Sequence, residues 1–171
     1  MAAGERKQQF VRISRLFACV SHFSLTIALL GGCGGYTPDA IVEQTPRGLI
    51  GGGDWSMVSA DVIHLDGHLV ARLHATERAP CAPNTGVAPH ILFLVPEAPG
   101  EYPLRFDQAS VIDGTAQVVN FVTAEAVNVI SSQGLIVVES ISDTEVSLGV
   151  IADAENNSVN GRFTAPICPA D

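Results

Sequence analysis

Several groups of side chains have types and spacings suited to catalysis, ligand binding or cross-linking. His64 and His68 stand four residues apart in "IHLDGH", the spacing of two metal ligands on one helical face. Asp61, Arg72 and His74 bring a carboxylate, a guanidinium and an imidazole into one short stretch. In "DAENNSVN", Asp153, Glu155, Asn156 and Asn157 offer oxygen donors of the kind calcium takes, without the spaced acidic pattern of an EF-hand loop. Glu139 interrupts an apolar run and would suit a general acid if buried, because desolvation raises a carboxyl pKa. Cys81 and Cys168 are thiols whose chemistry depends on compartment.

What these residues can do depends on the elements that hold them. "MVSADVIHLDGHLVARLHA" contains Asp66-Gly67, a strong signal for a two-residue type I′ hairpin turn. That turn sets Leu65 opposite His68, Asp61 opposite Arg72 and Ser59 opposite His74. Val58, Ala60, Val62, Leu69, Ala71 and Leu73 then share the core face. Asp61, His68, Arg72 and His74 share the other, as an exposed polar face whose ion pair is worth about 0 to 1 kcal/mol. Asp61, Arg72 and His74 are the candidate ligand-binding residues. His64 and His68 fall on opposite faces of such a hairpin and cannot hold one ion together, so no metal site is expected. Asn156 and Asn157 suit ordinary turn chemistry, since Asn tolerates the left-handed conformation.

The stretch from Gly134 to Ile167 reads as a three-stranded meander, with a tight turn at Asp143-Thr144 and a second over Ala154 to Asn157. This register sets Leu148 opposite Phe163 and Val150 opposite Gly161. It gathers Leu135, Val137, Ile141, Val146, Leu148, Val150, Val159, Phe163 and Ala165 on one face, with Glu139 as the exception. "HILFLVP" reads as a strand covered on both sides and ended by Pro96, and "APGEYPLRF" turns into another. "TAQVVNFVTAEAVNVI" supplies one long strand or two short ones. In "GLIGGGDW" the glycines let the chain turn into the first strand ahead of Trp55. Eight or nine strands with regular turns predict an all-β fold: an antiparallel two-layer β-sandwich of Ig-like or jelly-roll topology, with a barrel as the alternative.

The first thirty-two residues follow another logic. Arg6, Lys7, Arg12 and Arg15 make a basic start, and no charged residue then appears before Asp39. Leu16 to Leu30 is mostly apolar, too short to span a bilayer and suited to an export signal. Leu30-Gly31-Gly32-Cys33 resembles the lipobox of bacterial lipoproteins. The resemblance implies a diacylglyceryl group on the Cys33 thiol, cleavage just before it, and anchoring to a membrane. Gly34, rather than Asp, at the following position implies sorting to the outer membrane. Residues 1–32 are therefore expected to be a signal peptide, 33–47 a lipidated cysteine with a flexible tether, and 48–171 the β-sandwich domain.

Export agrees with cysteine usage. With Cys19 in the signal and Cys33 lipidated, Cys81 and Cys168 remain to form one structural disulfide. The chain from Cys33 onward carries five arginines, no lysine and seventeen carboxylates, a formal charge of −12. Such acidity disfavours nucleic acid and anionic lipid headgroups as partners. No GxSxG elbow, HExxH, phosphate-loop or dinucleotide motif is present. The expectation is a cell-envelope protein without cofactor, tied to a membrane by its lipid, whose sandwich serves as a non-catalytic binding or structural module for an envelope protein or glycan. The competing expectation is a small secreted hydrolase or metal-binding domain with its site in loops such as 77–90.

Overall fold

A computed structural model of the chain describes residues 35–83, 89–112 and 115–170. Lipidation at Cys33, the signal peptide and part of the 77–90 loop lie outside the described residues. From the described part, eleven strands form two antiparallel sheets. The first holds β1 (Arg47–Ile50), β2 (Gly53–Ser56), β6 (Gly100–Pro103), β9 (Gln133–Ile141), β10 (Glu145–Ala154) and β11 (Asn157–Pro166), in the order β2-β1-β11-β10-β9-β6. The second holds β3 (Ser59–Leu65), β4 (His68–His74), β5 (His90–Val95), β7 (Val119–Val122) and β8 (Asn128–Ser131), in the order β3-β4-β5-β7-β8. A short α-helix, α1 (Gln108–Ile112), lies on the connection between β6 and β7, and a 3-10 turn covers Pro38–Ala40. The two sheets are separate layers, so the fold is the expected sandwich and not a closed barrel.

The strand count exceeds the expected eight or nine because Gly51 and Gly52 do more than admit the chain to one strand. Both take positive φ, 61° and 79°, and close a tight hairpin between β1 and β2. Without side chains they adopt these angles at little steric cost. The β3–β4 hairpin forms as its turn predicts, with Asp66 at φ 52° and Gly67 at φ 80°. Leu65 pairs with His68, Asp61 with Arg72 and Ser59 with His74.

The meander forms too, with Leu148 opposite Phe163 and Val150 opposite Gly161. Its β9 strand departs from the uniform register. Ser147 pairs with Ser140, but Leu148 pairs with Val138, so Glu139 is the extra residue of a β-bulge. The bulge exchanges the faces beyond it. Ile136 and Val138, not Leu135 and Val137, join the central core. Glu139 thus reaches the surface and pairs with Arg162.

Between the layers lie Val62, Ala71, Leu73, Ile91, Phe93 and Phe121 from one sheet, against Ile136, Val146, Leu148, Val150, Val159 and Phe163 from the other. Phe93 and Phe163 meet edge to face across the interface, ring centres 6.4 Å apart. Of the residues expected on the core face of β3–β4, Val58 is the exception at 58% exposure, because it precedes the strand.

The segment read as a flexible tether is, from Tyr36 on, laid against the outer face of the first sheet. Tyr36 donates its hydroxyl to Asp153 at 2.7 Å, and Asn160 bonds both Ala40 O and Val42 N at 3.0 Å. The Arg162 amide donates to Gln44 O at 2.8 Å. Ile41 is buried against Gly149. Gly161 makes this approach feasible: a Cβ there would lie 2.5 Å from Gln44 O and from the Pro46 backbone.

Candidate functional site

Asp61, Arg72 and His74 stand where the hairpin register puts them, on the side of β3–β4 away from the core. They are not exposed. Only 4%, 5% and 3% of these residues reaches solvent, which corrects the expectation of a solvated face. The covering chain is the segment after β4, held by the Cys81–Cys168 disulfide to the C-terminal tail across a separation of 87 residues. Arg72 donates from Nε and Nη2 to the two oxygens of Asp61, at 2.7 and 2.6 Å, and from Nη2 to Ala82 O at 3.0 Å. The Cys81 amide donates to Asp61 at 2.8 Å. On the other side, Cys168 N donates to Val62 O at 2.7 Å. The polar face of the hairpin is therefore the floor on which the stapled loop is built.

Electrostatics follow from this enclosure. Burial pushes the Asp61 carboxyl up, but the bonds from Arg72 and Cys81 and the guanidinium charge outweigh it, holding the pKa below the ordinary carboxylate value. His74 moves the opposite way in charge terms. Burial, with repulsion from Arg78, His90 and Arg72 adding to it, lowers it to about 4 against the attraction of Asp61. It is neutral at physiological pH, its ring 5.8 Å from that of His90. Among the described residues its Nε2 has no hydrogen-bond partner. An ion pair enclosed by backbone and a neutral imidazole can position a loop, and of the three Arg72 also lines a hollow of about 700 Å³ with His64, Cys81 and Cys168.

The remaining sequence candidates separate. His64 pairs with Leu69 and His68 with Leu65, so the two rings leave opposite faces of the hairpin. Among the described residues no group of three or more His, Cys, Asp or Glu is gathered as a metal site. Asp153 accepts Tyr36, and Asn157 accepts the Gly51 amide at 2.8 Å while Asn156 takes the left-handed φ of 54° in the turn. Those oxygens serve the fold.

A second set of residues that could take a ligand lies elsewhere. A cleft of about 580 Å³ opens between the β4–β5 side and the edge strand β6. Leu69, Val95 and Pro96 contribute its apolar surface, and Glu97, Glu101 and Arg105 line it with charge. Two wall groups are fixed by the fold: Tyr102 donates to Ala98 O at 2.8 Å and Gln117 to Leu94 O at 2.7 Å. Arg105 is oriented by Thr115, to whose hydroxyl Nη2 donates at 2.5 Å. The volume and the mix of an apolar floor with a few convergent polar groups match a preformed small-ligand site. Sequence reasoning passed over these residues because they come from separate segments that only the packing of β6 beside β9 brings together; the proline-punctuated run "PEAPGEYP" was the one local trace.

Compared with protein-family models, with curated proteins and with solved structures, the chain matches none of them.

Proposed function

We propose that this is a lipid-anchored protein of the bacterial cell envelope whose β-sandwich acts as a non-catalytic binding module. The observation that carries the reading is Leu30-Gly31-Gly32-Cys33, set behind a basic and then an apolar stretch and followed closely by the sandwich domain. The Cys81–Cys168 cross-link supports it, since such bonds persist in oxidising compartments. Acyl chains on Cys33, at about 0.8 kcal/mol per buried methylene, would hold the domain at a membrane almost permanently. The outer membrane is the proposed destination, and the cleft beside β6 is the proposed place of contact with an envelope protein or glycan.

A radiolabelled fatty acid fed to cells making the protein should appear on the wild-type chain. Cys33→Ser should carry no label and leave the membrane fraction. A labelled, membrane-bound Cys33→Ser chain would overturn the proposal. A second reading, a small hydrolase, draws on one observation: Glu97 and Glu101 line the same cleft. Turnover of a glycoside or ester, abolished by Glu97→Gln and Glu101→Gln, would favour it over simple binding.

A further inference from the structure

Resting on the lipid-anchor reading, we infer that the sandwich stands end-on at a zwitterionic bilayer surface, with Val127 and Ile130 against the lipid and the Asp143 turn pointing away. The first support is chain length. Cys33 lies three residues before Tyr36, a span of at most about 11 Å whatever its conformation. Tyr36 is not the start of a free linker, because its hydroxyl bonds Asp153 near the end of β10. The domain is therefore leashed to its lipid at one end and cannot drift from the bilayer by much more than the length of a side chain.

The second support is what occupies that end. The β1–β2 and β10–β11 turns meet there, with Gly52 N donating to Asn156 O at 2.8 Å. The other sheet contributes the β7–β8 turn, whose Thr123 lies beside Gly51. Ser131, just before β9, donates to Asp153 O at 2.6 Å. A hollow at this end is lined by Ile130 together with Asp153 and Glu155. Val127 and Ile130, on the turn before β8 and on β8, are 54% and 53% exposed and stand at the leashed end, where they are placed for shallow contact with lipid. Glu125 and Glu155 are exposed on two of the same turns, so an anionic surface would repel this end and a zwitterionic one would not.

The far end of β10 supplies the contrast. Asp143, on the turn before β10, shares a second hollow with Leu69 and Glu97, and those two residues also line the cleft. From there the cleft runs along β6 to Pro103, which is level with Ile151 through Leu135, so it flanks the sheet edge, while the Asp143 turn itself is separated from Asp153 by most of β10, a ten-residue strand about 30 Å long.

The test uses the full chain, purified with its lipid, in phosphatidylcholine vesicles that carry a nitroxide quencher on the headgroup. A polarity-sensitive fluorophore is placed at Val127→Cys or at Asp143→Cys. The label at 127 should shift to the blue and lose emission to the quencher, and the label at 143 should do neither. Phe in place of Tyr36 (Y36F) should weaken the quenching at 127, because the leash loses its attachment to Asp153. Lipid mass present on Cys33 with both labels unquenched, or with the label at 143 quenched as strongly, overturns the orientation and leaves the anchor standing. No lipid mass on Cys33 overturns the anchor and the orientation together.

Discussion

Arg72 holds both carboxylate oxygens of Asp61 at 2.7 and 2.6 Å beneath a loop that leaves each residue about one-twentieth exposed. The pair is a cross-strand neighbour pair of the β3–β4 hairpin that has become part of the interior. An exposed pair of this kind would contribute at most about 1 kcal/mol. Here the balance differs, because neither partner can be removed without leaving the other charged and dry.

Arg72→Ala should therefore cost about 3 to 5 kcal/mol, as should Asp61→Ala, well above the value for a surface pair. Val62→Asp, which puts a lone carboxylate in the apolar layer between the sheets, should cost at least as much. Replacing both partners, Asp61→Leu with Arg72→Met, should lose less than either single change, because no orphan charge remains. Urea denaturation of the four variants measures the ranking. A cost below about 1 kcal/mol for Arg72→Ala would mean that the loop does not seal the pair in solution.

His74 makes stability depend on mild acid. Its pKa is lowered from 6.5 to about 4 in the folded chain, so the unfolded chain binds a proton that the folded chain refuses. The contribution is complete above about pH 6.5 and is lost progressively as pH falls toward 4. From pH 7.5 to pH 5 the loss should approach about 2 kcal/mol. Asp61 adds a second loss only below its own ordinary value of 3.8, where the carboxylate must protonate. Denaturation midpoints across this range should fall in the wild type and stay flatter in His74→Gln. An equal slope in both would assign the acid sensitivity elsewhere.

Gly161 is where the strap from Tyr36 to Pro46 presses hardest on the sheet. An added Cβ would meet backbone atoms at 2.5 Å, and backbone cannot swing aside as a side chain can. Gly161→Ala should lift the strap while the core stays packed, for a loss of about 2 kcal/mol. Hydrogen exchange should quicken at the amides of Val42 and Arg162, whose partners are Asn160 and Gln44. Unchanged protection at both would show that the strap is not held through this contact.

Local turn chemistry carried the pairing of neighbouring strands. Asp66-Gly67 requires two residues at positive φ, and that requirement alone aligns Asp61 with Arg72. The turns at Asp143-Thr144 and Glu155-Asn156 align Val146 with Ile141 and Leu148 with Phe163 in the same way. The cysteine pair followed from counting thiols in a chain read as exported. What alternation along a strand could not reveal is which face is covered, since that depends on chain distant in sequence. Val62 and Asp61 alternate as a core and an outer residue should, yet both are buried, because a disulfide 87 residues long in sequence closes a loop over the polar side. The same reason explains β9. A uniform period placed Leu135 and Val137 inward with Glu139 among them, whereas inserting one residue at Glu139 turns Ile136 and Val138 to the core and sends the carboxylate to Arg162. The carboxylate's solvation cost and the partner waiting on β11 favour that bulge, and both arise only when the sheets have packed.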